Sequence, residues 1–165
     1  MLLLSILVIT PVLALEIVTH PQFIDNNLTK SQLRRIYTMR QVNWSDNSAI
    51  TVFVLPSQHV LHQRFAKERL QIFPYQLNRI WHKLTYSGLG VAPTTVQSEE
   101  ELIQAVIKTP GAIGYIDTPS LQKLIAKEKD DKVTLTQVVS QENTVMDSKQ
   151  KERGKGVVNV VKIKD

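Results

Sequence analysis

The sequence predicts an α/β fold: a three-layer lobe with a central mixed sheet of about five strands and helices on both faces. Three observations lead there. Short β-type runs alternate with segments of helical spacing. The helical segments open at recognisable start signals: Thr29 with Gln32, Ser98 with Glu101, and Pro74. Clusters of Gly, Pro, Asn and Ser separate them. With 165 residues, 42% of them hydrophobic and 21% charged, the chain suits one globular domain over residues 15–165.

The elements follow in order. MLLLSILVITPVLALE carries no charge before Glu16, and its apolar run is too short to span a bilayer, which takes ~20 residues. It reads as a signal peptide over residues 1–14, cleaved near Ala14, although no Lys or Arg precedes the run. Glu16 to His20 is a first strand. Thr29 caps a helix whose buried face is Leu33, Ile36 and Tyr37, ending near Met39. Trp44 falls in a turn cluster, Asn43 to Ser48. Ile50 to Leu55 is a second strand, followed by a helix lined by Val60 or Leu61, then Phe65, Arg69 and Ile72.

Pro74 opens a helix with the stripe Leu77, Ile80, Trp81 and Leu84, ending at Ser87-Gly88-Leu89-Gly90. Ser98 and Glu101 form a second capping box before Leu102, Ile103, Val106 and Ile107. Ala112 to Ile116 is a strand, and its Gly114 implies close backbone approach. Residues 118–156 read as a variable insertion: a Lys-rich helix over 120–129, a dilute strand over 133–139 and a polar loop over 141–156. Val157 to Ile163 is an edge strand or a closing strand of the sheet.

Charge and composition narrow the function. The chain has no cysteine, so disulfides, thiolate metal sites and cysteine nucleophiles are excluded. An anchor through a lipidated N-terminal cysteine is excluded with them. The formal charge is +5, and residues 30–83 alone hold nine Lys/Arg against Asp46 and Glu68. A basic middle suits an anionic or polar partner. An exported chain argues against nucleic acid. No nucleophile elbow and no carboxylate pair is visible, so the sequence does not read as an enzyme. His59 and His62 stand three apart, the spacing of a two-ligand metal face. A third ligand would have to come from His20 or His82, and surface histidines are the simpler reading. No cofactor is expected.

One stretch carries ligand chemistry: Val54-Leu55-Pro56-Ser57-Gln58-His59. A strand ends at a proline and a helix begins just beyond. The first N–H groups of a helix face outward and favour an anion. Ser57 reads first as the N-cap. Its hydroxyl, with N–H groups of Gln58 and His59, forms the candidate anion site, and Arg40 on the basic segment is the alternative location.

Several segments together resemble the periplasmic phosphate-binding protein family, of type II substrate-binding fold. The segments are Ile36-Tyr37-Thr38-Met39-Arg40, Trp44-Ser45-Asp46-Asn47, then Trp81 with Tyr86-Ser87-Gly88-Leu89-Gly90 and Pro93, and Thr109-Pro110-Gly111-Ala112-Ile113-Gly114-Tyr115-Ile116. The resemblance covers residues 16–117, with the last strand, 157–163, as a weaker match. It implies a periplasmic domain that binds phosphate or a related oxyanion for an ABC transporter. Two departures stand against a full receptor. The chain has the length of one lobe, and its counterpart of the family's phosphate loop keeps only Ser57, without the Arg, Asp and glycines. The alternative is therefore a periplasmic interaction module, docking another protein, whose ligand pocket has degenerated.

Overall fold

The computed structural model describes residues 14–23, 27–127 and 158–164. The expected signal peptide, the 133–139 strand and the 141–156 loop lie outside the described residues, apart from Ala14.

Among the described residues six strands form one mixed sheet. They are β1 (Leu15–Thr19), β2 (Asn27–Thr29), β3 (Thr51–Val54), β4 (Thr94–Thr95), β5 (Ala112–Asp117) and β6 (Asn159–Lys164), in the order β2-β6-β1-β5-β3-β4. β1 runs antiparallel to both β5 and β6, with Ile17 opposite Tyr115 and Val161. β3 is parallel to β5 and β4, and β2 is parallel to β6. The α/β lobe with a mixed central sheet is therefore as expected, with two short strands added. Of the two places expected for β6, the edge is not taken. β6 lies inside the sheet, because the unforeseen β2 pairs on its outer side.

Helix α1 (Lys30–Tyr37) starts at the capping box read from sequence. Thr29 Oγ1 accepts from Gln32 N at 3.1 Å, and Gln32 Oε1 accepts from Thr29 N at 3.0 Å. α2 (Val60–Arg64) runs on into a π-helical turn, Phe65–Arg69, in which Leu70 N–H bonds to Phe65 O. The buried face is Leu61, Phe65, Ala66, Leu70 and Ile72; Val60 is exposed, and Leu70 takes the buried place expected of Arg69, which is half-buried. α3 (Pro74–Tyr86) has proline in its first turn, as predicted. α4 (Glu99–Lys108) is capped by Ser98, whose Oγ accepts from Glu101 N. Its capping box is not closed, since Glu101 Oε2 accepts from Gln97 N instead of Ser98 N. A further helical stretch covers 118–127.

The three layers are visible at two consecutive residues of β5. Side chains alternate across a sheet. Gly114 faces α4, where an added Cβ would stand 2.4 Å from Leu102 Cδ2 and 3.0 Å from Val106 Cγ2. Tyr115 faces the other way, stacked on Phe65 with ring centroids 4.1 Å apart. Phe65 in turn meets the Tyr37 ring at 4.5 Å, so β5, α1 and the π-turn share one aromatic core. Each large side chain so buried contributes roughly 1.5–3 kcal/mol.

Both tryptophans belong to the core. Trp81 is 8% exposed and its Nε1–H donates to Tyr37 O at 2.7 Å. Trp44 does not behave as a turn residue. It is 5% exposed, lies against Phe23 with centroids 4.1 Å apart, and donates from Nε1 to Gly111 O at 2.9 Å. Gly111 holds φ +73, and an added Cβ would meet Ala49 O at 2.3 Å. The turn cluster around Trp44 is thus pinned to the entrance of β5.

Candidate functional site

The carboxyl ends of parallel strands are where α/β sheets gather ligands. β3 ends at Val54, and the chain crosses to α2 through Leu55 to His59. His59 N–H bonds to Pro56 O at 2.8 Å, closing a four-residue turn. The cap of α2 is His59, not Ser57 as the sequence implied. His59 Nδ1 accepts from Leu61 N at 3.2 Å. The turn carries the chain two residues further before the helix starts, and this frees Ser57 from capping.

Ser57 and Gln58 are therefore left at the apex. No protein group among the described residues accepts from their backbone N–H groups. The Ser57 hydroxyl reaches only Gln58 Oε1, at 3.5 Å. Two open clefts meet at this apex. One, of about 400 Å³, is lined by Ser57, Gln58, Gln63, Lys67, Asn78 and the Phe73–Tyr75 segment. The other, of about 330 Å³, includes Val54–Gln58, Asn78, Trp81, His82 and Pro93. Among the described residues neither lining contains an Asp or a Glu. Arg40 lines neither. It sits exposed beyond α1, where its N–H bonds to Arg35 O. The cation sharing a cleft with Ser57 is Lys67, which sequence reasoning did not single out. Its position depends on the π-turn that carries it.

Beneath the turn lies a buried polar pair. His62 is fully buried and its Nδ1 stands 2.6 Å from the Tyr115 hydroxyl. The same hydroxyl accepts from Leu55 N at 2.9 Å. The phenol oxygen has one proton and two lone pairs, so beside the Leu55 bond it either donates to His62 Nδ1 or accepts from it, according to the His62 tautomer. Nε2 has no partner. Burial, and secondarily the nearby His59, lowers the His62 pKa from 6.5 to about 4. Burial pushes the Tyr115 phenol well up. Both groups are neutral near pH 7, and together they tie the last residue before the turn to α2 and β5. His59 and His62 thus do different work: one caps a helix, the other sits in the core. Among the described residues no three His, Asp or Glu side chains are grouped to hold a metal ion.

The fold and the turn together define a class: a lobe of the periplasmic binding protein type, with its candidate site at the carboxyl end of a parallel strand. The sequence profile of the PBP superfamily domain matches residues 13–165, and the chain belongs to that family. No curated protein matches it. Solved structures that share the fold include the following three. PstS from Borrelia burgdorferi has 19% identity and a TM-score of 0.56, over 91% of this chain and 47% of that one. A candidate phosphate ABC transporter substrate-binding protein from Clostridium perfringens, with phosphate bound, has 20% identity and a TM-score of 0.50, over 63% of this chain and 39% of that one. A candidate phosphate binding protein from Planctomyces limnophilus has 14% identity and a TM-score of 0.53, over 92% of this chain and 41% of that one. The chain spans less than half the length of each. No described helix is long and apolar enough to cross a membrane.

Proposed function

We propose that this lobe is a periplasmic binding module that takes phosphate or a related oxyanion at the Pro56–His59 turn and serves an ABC transporter. One observation carries the reading. The N–H groups of Ser57 and Gln58 are unspent, beside the Ser57 hydroxyl, in clefts with Lys67 and no carboxylate. Oxyanions are held by converging donors of this kind. The names of two related structures, from Clostridium perfringens and Planctomyces limnophilus, point to the same ligand class. The site is open and holds no arginine fork, so the affinity is low, with a dissociation constant on the order of 1 mM. Arg40 is the cation for an anion bound away from the turn. No reaction is proposed.

Calorimetric titration with phosphate and with sulfate, at constant ionic strength, tests this. Saturable heat from either anion supports the site. No heat and no thermal stabilisation at ten times that concentration would sink it. A second reading, a non-transport interaction module, is favoured by the exposed side chains of Tyr75, Tyr86, Leu89 and Val91. It predicts an anion-blind protein with a protein or polymer partner.

A further inference from the structure

The two clefts adjoin along α3, sharing Ser57, Gln58 and Asn78, and are taken together as one groove. Aromatic rings stand at both ends. At the first, Phe73 and Tyr75 are 55% and 67% exposed and stacked on each other, with centroids 5.8 Å apart and planes 22° apart. At the second, His82 lines the cleft and meets Tyr86, which is 88% exposed, edge-on at 6.1 Å. Between them lie three amides, Gln58, Gln63 and Asn78. From Tyr75 to Tyr86 the helix rises roughly 16 Å.

We propose that this groove docks a neutral glycan strand, such as an oligomer of N-acetylhexosamine. Flat exposed rings offer a face on which the C–H side of a sugar ring can lie. Each amide presents a donor and an acceptor in one plane, and so matches neighbouring sugar hydroxyls or an N-acetyl group. The charge pattern separates this occupant from others. An acidic peptide calls for several cations, and among the described residues the groove offers Lys67 alone of the Lys and Arg side chains. A basic partner calls for carboxylates, and the lining has none. The open ends suit a polymer rather than an enclosed small molecule. The groove runs over the same turn, Ser57 and Gln58, but does not rest on the oxyanion reading: a chain that ignores phosphate and binds the glycan sustains it.

The test is titration of the chain with the hexamer of β-1,4-linked N-acetylglucosamine, followed by calorimetry and tryptophan fluorescence. Saturable binding is expected, weakened at least tenfold in Tyr75→Ala and in Asn78→Ala. Val42→Ala, exposed and outside both clefts, should bind as wild type. Melting temperatures should stay equal across the set, since Tyr75 and Asn78 contribute no core packing. Absence of binding overturns the proposal, as does affinity undiminished in both groove variants. Two other results overturn it in favour of a different occupant. One is a reversible dimer in sedimentation that Tyr75→Ala dissolves and the hexamer does not. The other is a proline-rich peptide that binds the groove where the hexamer fails.

Discussion

His62 Nδ1 lies 2.6 Å from the hydroxyl of Tyr115, fifty-three residues away, and that hydroxyl also accepts the N–H of Leu55. One phenol thus joins β5, the helix after the turn and the residue that leads into it. The pair is buried and neutral, which makes it sensitive to acid. The His62 pKa falls from 6.5 to about 4 on folding, because burial penalises the charged ring. As pH drops through 6.5 the unfolded chain takes up this proton and the native chain does not, so stability falls until the native pKa is reached. The loss between pH 6.5 and 4 is on the order of 3 kcal/mol. Urea melts across that window should show it. His62→Gln, which cannot titrate, should flatten this part of the profile. An equally steep profile in the variant would show that other groups carry it.

Tyr115→Phe removes only the oxygen. It leaves Leu55 N–H and His62 Nδ1 without their partner in the core. An unsatisfied buried polar group costs about 1–3 kcal/mol, so the variant should lose more than one ordinary hydrogen bond is worth. Urea denaturation gives the value. The double variant Tyr115→Phe, His62→Gln should lose less than the sum of the singles, because the two groups satisfy each other. Strict additivity would mean the pair is not coupled.

Trp44→Ala should cost as much as Trp81→Ala, each about 3–5 kcal/mol. Both rings are buried, and each indole donates to a distant carbonyl, Gly111 O for Trp44 and Tyr37 O for Trp81. Trp44→Phe keeps most of the packing and should recover part of the loss. A Trp44→Ala protein as stable as wild type would show that the turn cluster is not anchored to β5.

Gly114→Ala should destabilise by roughly 1–3 kcal/mol through overpacking, since the new methyl enters the space of Leu102 and Val106. Leu102→Ala made with it should relieve the clash, so that the double variant is more stable than additivity predicts. Chemical denaturation of the three variants checks this.

Much of the fold was legible because its signals are local. Thr29 and Gln32 are three residues apart, and their capping box formed as read. The glycine at 114 implied close approach, and Leu102 supplies the neighbour. What escaped was non-local. β2 and β4 are three and two residues long, too short for an alternating pattern, and exist only through their partners β6 and β3. Trp44 sits among turn residues but is buried by Phe23 and Gly111 from elsewhere in the chain. His62 looked like a surface histidine because its partner lies on a distant strand. At the candidate site, the loop was found but its cap was misplaced. Ser57 has the better capping chemistry, yet the Pro56–His59 turn puts His59 at the helix start.

That displacement separates two effects that would otherwise coincide in one residue. His59→Ala removes the side-chain acceptor for Leu61 N–H and should cost about 1 kcal/mol, the usual value of a lost N-cap. Ser57→Ala should cost clearly less, because its hydroxyl makes only a 3.5 Å contact with Gln58. Ser57→Asp should also fold normally, but a fixed negative charge would stand where the oxyanion is proposed to bind. A ligand raises the melting temperature only of a protein that binds it. Millimolar phosphate should therefore stabilise the wild type slightly, His59→Ala by a similar amount, and Ser57→Asp not at all. Lys67→Ala should reduce the shift, and Arg40→Ala should leave it unchanged. The measurement is thermal melting of the five proteins with and without phosphate at fixed ionic strength. A shift that survives in Ser57→Asp and disappears in Arg40→Ala would move the anion from the turn to the basic end of α1.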